Sequence, residues 1–257
     1  MLQLAKFKKG KKEMHHFFVN PKDVSEEEIV ITGSDVNHIK NVLRMKPGEE
    51  VLISNGQGGD YLCKLKTLAD DKVICEITDA EFEGTESPAK FILFQGLPKA
   101  DKFETVIQKA VELGAYKIVP VETKRSIVKL DAKKKESKLK RWSGIAESAA
   151  KQSRRSIVPE VGDIIKFDKA LEMAKDFDLN IIPYENFKDM EATRAALAEV
   201  KPGMKIGIFI GPEGGFDEAE VDAAIEAGVK PISLGKRILR TETAPLAILS
   251  ILMFMLE

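Results

Sequence analysis

Apolar residues along this chain recur at two different periods, and the change between them falls near "EFEGTESPAK", residues 81 to 90. Before that stretch, short alternating runs dominate: "HHFFV", "EIVIT", "EEVLIS", "DYLCKLKTL" and "KVICEITDA". A period of two predicts strands with one buried face, and turn signals such as "NGQGG" between them predict a small antiparallel sheet or barrel. One helix, "DVNHIKNVLRM", is expected within this region. Beyond the boundary, "KFILFQ", "KIVPV", "LNIIPYE", "KIGIFIG" and "PISLG" read as strands. Between and after them, "DKFETVIQKAVELG", "ESKLKRWSGIAESAAKQS", "FDKALEMAKDF", "DMEATRAALAEV", "DEAEVDAAIEAG" and the terminal "APLAILSILMFML" read as helices. The first of these helices places Phe103, Val106, Ile107, Ala110 and Val111 on one side, and the second is expected to bury Leu139, Trp142, Ile145, Ala146 and Ala149. Strands alternating with helices predict an α/β domain with a parallel sheet covered on both faces. The expected organisation is a small β domain over residues 14–84 and an α/β domain over 90–257.

The first thirteen residues, "MLQLAKFKKGKKE", precede a second methionine, Met14. They are basic and lead into no long apolar stretch, so a disordered leader or tag is expected there rather than a secretory signal. The terminal apolar run is about a dozen residues, too short to span a bilayer. A cytoplasmic protein without a membrane partner is therefore expected. Cys63 and Cys75 share strand faces with apolar neighbours and read as reduced core thiols, and no ligand spacing suits a zinc site.

Over 257 residues the formal net charge is only −1, so no global excess announces a nucleic-acid binder. The distribution is more informative. Between Lys124 and Arg155 there are twelve Lys or Arg against three acidic residues. The lysines in "KKKESKLK" also read as a solvated helix face. Arg125, Arg154 and Arg155 are stronger candidates for phosphate contacts, because a guanidinium fork matches phosphate oxygens.

The segment "FIGPEGGF", residues 209 to 216, connects a strand to a helix for which Asp217 is the expected N-cap and Gly228 the stop. It lacks the lysine and hydroxyl of a Walker loop and does not match a dinucleotide fingerprint. Gly211, Gly214 and Gly215 either permit a tight turn or let backbone approach a ligand at a helix N-terminus. A second such loop, "SLGKRILRTETA", residues 233 to 244, holds Ile238 and Leu239 between Arg237 and Arg240. That apolar pair packs beneath the loop or walls a flat ligand; Thr241 or Thr243 can cap the following helix, with Glu242 in its first turn. A third strand end, "IIPYE", supplies Pro183 and Glu185. Three neighbouring strand ends of this composition can frame a pocket for an adenosine-like group.

"FIGPEGGF" together with "LGKRILRTETAPLAIL" resembles the SPOUT-type methyltransferases, and more closely the 16S ribosomal RNA uridine-N3 methyltransferase family. "HIKNVLRMKPGE", "QGLPKADKFETVIQKAVELG", Arg125–Ser126, Arg141–Trp142 and "AAKQSRRSIVPEV" agree, in order, from Met14 onward. The resemblance implies a PUA-like RNA-binding barrel followed by a trefoil-knotted α/β domain, although chains are as a rule unknotted. It implies S-adenosylmethionine bent among loops corresponding to residues 183–185, 211–215 and 234–244: Pro183, Glu185, Gly211, Pro212, Gly214, Gly215, Leu234, Gly235, Ile238, Leu239, Thr243 and Ala244. It also implies a homodimer built on the terminal helix, acting on 16S ribosomal RNA in the small subunit.

Uridine N3 carries a proton, so the site needs a base, or cations that stabilise charge on the uracil oxygens. Arg240 is the candidate for the electrostatic role. Glu213 reads either as the base or as an acceptor of backbone N–H bonds. Lys99, Lys102 and Glu104, after another strand end, are placed to reach the target nucleotide, and Lys99, Lys102, Arg125, Arg154 and Arg155 form the expected RNA contacts. His38 reads as structural, and a nucleic-acid role for His15 and His16 is not favoured. Two other functions fit parts of the pattern: ribose 2′-O methylation by a related enzyme, or a non-catalytic RNA-binding assembly factor. The intact glycine loop and "LRTETA" favour the enzyme.

Overall fold

The structure is a computed structural model describing residues 14–80, 82, 84–127 and 131–256; the expected leader lies outside the described residues. The chain divides into two compact units, Met1–Thr85 with Arg154–Ile157, and Glu86–Ser153 with Val158–Glu257.

The first unit is a five-stranded sheet of β1 (His15–Phe18), β2 (Glu28–Thr32), β3 (Glu50–Ser54), β4 (Asp60–Leu68) and β5 (Lys72–Asp79), in the order β1-β3-β4-β5-β2. The expected helix is a short α1 (Ser34–Asn37) that runs into a π turn, His38–Val42. Alternation sends Ile29, Ile31, Val51, Ile53, Cys63, Leu65, Val73 and Cys75 into one core, joined by Phe17, Val36 and Ile39. Both cysteines are free and buried, and burial pushes both thiols up to about 12, with Cys75 adding to the effect on Cys63, so both are protonated, weakly reactive core thiols. The sheet is not antiparallel throughout: β1 lies parallel to β3. The chain between them, carrying β2 and the helical segment, is long enough for the crossover that a parallel pair requires.

The tetrapeptide Arg154–Ile157 belongs with this unit rather than with the basic helix before it. Ser156 donates its hydroxyl proton to Asp60, which also accepts from Ser54, and His16 Nε2 lies 2.7 Å from Ser54 Oγ. All four residues are buried, which gives His16 a structural place. Arg155 is only 3% exposed, a correction to its expected role as an open phosphate contact. Arg154, with φ of +59°, is exposed.

The second unit contains β6 (Lys90–Gly96), α2 (Lys102–Glu112), β7 (Ala115–Glu122), α3 (Ala132–Ser153), β8 (Glu160–Val161), β9 (Ile165–Lys166) and α4 (Phe167–Ala174). After these come β10 (Leu179–Pro183), α5 (Met190–Ala198), β11 (Lys205–Ile210), α6 (Glu218–Glu226), β12 (Lys230–Ile232) and α7 (Ala244–Leu256). The sheet order is β12-β10-β11-β6-β7-β8, with β9 also on β7, and every pair is parallel. Central strands β6 and β11 are buried along almost their whole length, which explains their unbroken apolar runs. Phe94 of β6 and Phe209 of β11 stack at 4.6 Å in the core that also holds Ile182, Phe167 and Phe216. The α2 stripe is buried as expected. On α3 the buried residues are Trp142, Ala146, Ala149 and Ala150, while Leu139 and Ile145 are only partly covered. Because all strands point one way, the segments after β6, β10, β11 and β12 emerge together at one sheet edge. That edge is where open parallel sheets bind ligands.

Candidate active site

The "GPEGG" turn leaves β11 beside the end of β6, and the approach is closer than any side chain permits. A Cβ at Gly96 would stand 2.7 Å from the Pro212 nitrogen, and one at Gly211 would stand 2.9 Å from the Gly215 carbonyl carbon. The turn folds onto itself through the Gly215 N–H, which donates to the Pro212 carbonyl at 2.9 Å with Gly215 at φ of +67°. Asp217 then caps α6: its carboxylate accepts from Ala219 N–H, and Glu220 reaches back to the Asp217 N–H at 3.0 Å. Gly228, φ +86°, follows the helix.

Lys124 and Arg125 clamp this helix start. Glu220 accepts the Lys124 N–H at 2.8 Å, Lys124 Nζ lies 3.2 Å from Asp217, and Arg125 Nη1 donates to the Gly214 carbonyl at 3.0 Å. The Lys124 hydrogen bond, outweighing burial, holds the Asp217 carboxyl below the ordinary Asp range. A lowered folded-state value means the contribution is complete at neutral pH and is lost as pH falls through that range. Asp217→Ala is therefore expected to lower the melting temperature by a few degrees at pH 7 and by less at pH 3, measured by differential scanning calorimetry. An equal loss at both pH values would contradict this.

Gln95 ties the loops together from below. Fully buried, it donates from Nε2 to Thr241 Oγ1 at 3.0 Å and approaches the Gly211 carbonyl at 3.4 Å, while Thr241 donates to the same carbonyl at 2.7 Å. Thus the ends of β6 and β11 and the start of the "LRTETA" segment are pinned to one point.

The result is a cavity of about 410 Å³ lined by three loops. Of the expected site residues, Pro183, Glu185, Gly211, Pro212, Gly215, Leu234, Gly235, Ile238, Leu239 and Ala244 line it, as do Lys102, Glu213 and Arg240. Gly214 and Thr243 do not. Gly214 packs on Arg125, and the Thr243 backbone bonds Arg240 and Ala247 at the beginning of α7. Of seven further lining residues, Tyr184, Ile210, Phe216 and Ser233 carry no distinctive signal in the sequence, and Arg237, Thr241 and Glu242 read there only as loop and helix-start residues. Lys99 is exposed nearby, and its N–H donates to Glu213 at 3.0 Å.

Charge in the cavity is arranged around Lys102. Its Nζ donates to Glu213 Oε1 at 3.0 Å and lies 3.8 Å from Glu242 Oε2. Burial raises the Glu213 value, but hydrogen bonds from Lys102 and from backbone N–H groups outweigh it, and the carboxyl titrates below its ordinary range. A carboxylate so engaged is a weak base, which favours the second of its two readings, an acceptor of backbone N–H. Glu104 likewise does not point at a free surface: it accepts from Arg141 at 2.7 Å and is 14% exposed.

The cavity suits S-adenosylmethionine by size and chemistry. Its volume is that of a cofactor-sized site. Gly211 and Gly215 keep side chains out of the turn, Ile210, Leu234 and Leu239 supply apolar walls, and carboxylates are present for an ammonium group. Among the described residues there is no cluster of His, Cys, Asp or Glu that would hold a metal, and no helix is long and apolar enough to cross a membrane.

Comparison with known proteins agrees with this geometry. Residues 85–253 match the RNA methyltransferase domain, and residues 31–78 match the RNA methyltransferase PUA domain. The chain is 41% identical over 230 residues to ribosomal RNA small subunit methyltransferase E of Bacillus subtilis, covering 88% of this chain and 90% of that one. To the protein of the same name from Mesomycoplasma hyopneumoniae it is 37% identical, covering 92% and 98%. Among solved structures, ribosomal RNA small subunit methyltransferase E of Neisseria gonorrhoeae bound to S-adenosyl methionine superposes with a TM-score of 0.82 at 34% identity, covering 94% and 98%. A Legionella pneumophila methyltransferase in complex with the same cofactor gives 0.80 at 28%, covering 95% and 98%.

Proposed function

This chain belongs to the ribosomal RNA small subunit methyltransferase E family, and we propose that it transfers the methyl group of S-adenosylmethionine to N3 of a uridine in 16S ribosomal RNA of the small subunit. The observation that carries this reading is the cavity itself. Three loops, two of them opened by glycine, meet at one sheet edge, with Lys102 and Arg240 on the wall. When bound, the cofactor supplies an electrophilic methyl carbon on sulfonium. The chain's part is to hold donor and acceptor in line, which supplies much of the rate, and to stabilise charge on the uracil as its N3 proton leaves.

The wall residues divide the work. Pro183, Gly211, Gly215, Leu234, Gly235 and Leu239 enclose the cofactor, while Arg240, with its exposed guanidinium, faces the uracil oxygens. Lys99, Lys102, Arg125 and Arg154 meet RNA phosphates, so affinity falls as salt rises. The PUA domain, matched over residues 31–78, is the second RNA-binding surface. The knotted topology of the resemblance and a cytoplasmic location complete the reading.

A homodimer through α7 follows from its uncovered apolar face. Phe254 is 85% exposed, beside Ile251 and Met255. Phe254→Glu is expected to convert a dimer to a monomer in sedimentation equilibrium without lowering the melting of the isolated chain. An unchanged dimer would remove α7 from the interface.

The function is tested by incubating small-subunit particles lacking the mark with enzyme and labelled cofactor, then digesting the RNA to nucleosides. N3-methyluridine is expected. Label in a ribose-methylated nucleoside would overturn the assignment.

A further inference from the structure

Three carboxylates line the cavity, and their surroundings differ. Glu185 is exposed. Glu213 is committed to Lys102 and to the Lys99 N–H. Glu242 is recessed, with its side chain 22% exposed, and its Oε2 is buried without a hydrogen-bond donor among the described residues. Lys102 lies 3.8 Å away, within reach of charge attraction but not as a hydrogen-bond donor. A buried carboxylate oxygen without a donor is costly, and Glu242 is thereby a cavity-lining carboxylate free of the hydrogen bonds that occupy Glu213, with the exposed part of its side chain on the cavity.

We propose that Glu242 is the proton acceptor of the reaction, its carboxylate receiving the N3 proton of the target uridine at the oxygen on the cavity side. This deepens the methyltransferase reading and rests on it. The N3–H bond breaks toward the Glu242 carboxylate, leaving its electron pair on N3, and that pair forms the bond to the methyl carbon. The carbon–sulfur bond breaks with its electrons going to sulfur, discharging the sulfonium. The protonated Glu242 returns its proton to water after the products leave. An imide N–H is a far weaker acid than a carboxylic acid, so proton transfer accompanies methyl transfer rather than preceding it, and Arg240 holds the negative charge growing on the uracil oxygens. Lys102 bridges two carboxylates, 3.0 Å from Glu213 Oε1 and 3.8 Å from Glu242 Oε2, so Glu213 holds the ammonium beside Glu242.

The test uses full-length Glu242→Gln with small-subunit particles lacking the mark. At neutral pH the methylation rate is expected to fall about 100-fold or more, while calorimetric affinity for S-adenosylmethionine stays within twofold of wild type. The variant's rate is expected to climb about tenfold per pH unit, as the uridine ionises on its own, where wild type is flat. Particles reconstituted with 5-fluorouridine-substituted RNA, whose N3 proton is more acidic, are expected to restore most of the variant's lost rate. Full activity in the variant, or a loss that neither pH nor the fluorinated RNA recovers, would overturn the assignment. Failure of the wild-type enzyme to yield N3-methyluridine would instead overturn the methyltransferase reading beneath it.

Discussion

Gly211→Ala is expected to cost the protein about fivefold to 100-fold in S-adenosylmethionine affinity while leaving the fold intact. The reason is local. A methyl group at position 211 would stand 2.9 Å from the Gly215 carbonyl carbon, 3.0 Å from its Cα and 3.1 Å from the Phe216 nitrogen. All three are backbone atoms, so no rotamer change relieves the contact. Overpacking of this kind costs about 1–3 kcal/mol. The loop can relax only by opening toward the cavity, because Phe216 behind it is buried in the core. Distortion appears as lost binding, about tenfold for each 1.4 kcal/mol. Gly214→Ala is the matched control. Its Cβ would meet only the Arg125 side chain, at 3.5 Å, an ordinary contact. Equal affinity in Gly211→Ala and wild type, by isothermal titration calorimetry, would show that this turn does not shape the cofactor site.

Arg240→Ala is expected to lower turnover by about 100-fold or more with cofactor affinity within about threefold of wild type. Arg240 is placed by its backbone, since its carbonyl accepts from Thr243 and Ala244 N–H at 2.8 and 3.0 Å as α7 begins. Its side chain is exposed on the cavity wall. Removing the guanidinium therefore leaves the loop intact and takes away one charge. Arg240→Lys keeps the charge without the planar guanidinium, and intermediate turnover is expected. Unchanged turnover in Arg240→Ala, in single-turnover assays on small-subunit particles, would exclude it from the chemistry.

The α/β unit was legible because its central strands are buried on both faces and its helices carry strong stripes. Phe103, Val106, Ile107, Ala110 and Val111 all fell where periodicity placed them. The Asp217 cap was legible too, since capping is local chemistry between residues three apart. Two-residue strands such as β8 and β9 have no period to detect, and the parallel pairing of β1 with β3 depends on a partner more than thirty residues away. Arg155 misled for a similar reason. Its place in a basic run suggested solvent, while the neighbouring Ser156 anchors to the buried Asp60. In the site, glycines and arginines announced the loops. Gln95 and Glu242 were silent because one looks like a strand residue and the other like a helix-start acid. Their significance comes from what three distant segments bring within 4 Å of them.

The most direct measurement is a crystal structure of the protein grown with S-adenosylmethionine. Density for a folded-over cofactor is expected between Pro183, the Gly211–Gly215 turn and Leu239, with its methyl group directed toward Arg240 and Glu242. A cofactor bound elsewhere, or those loops closed on their own core with no room between them, would contradict the central claim.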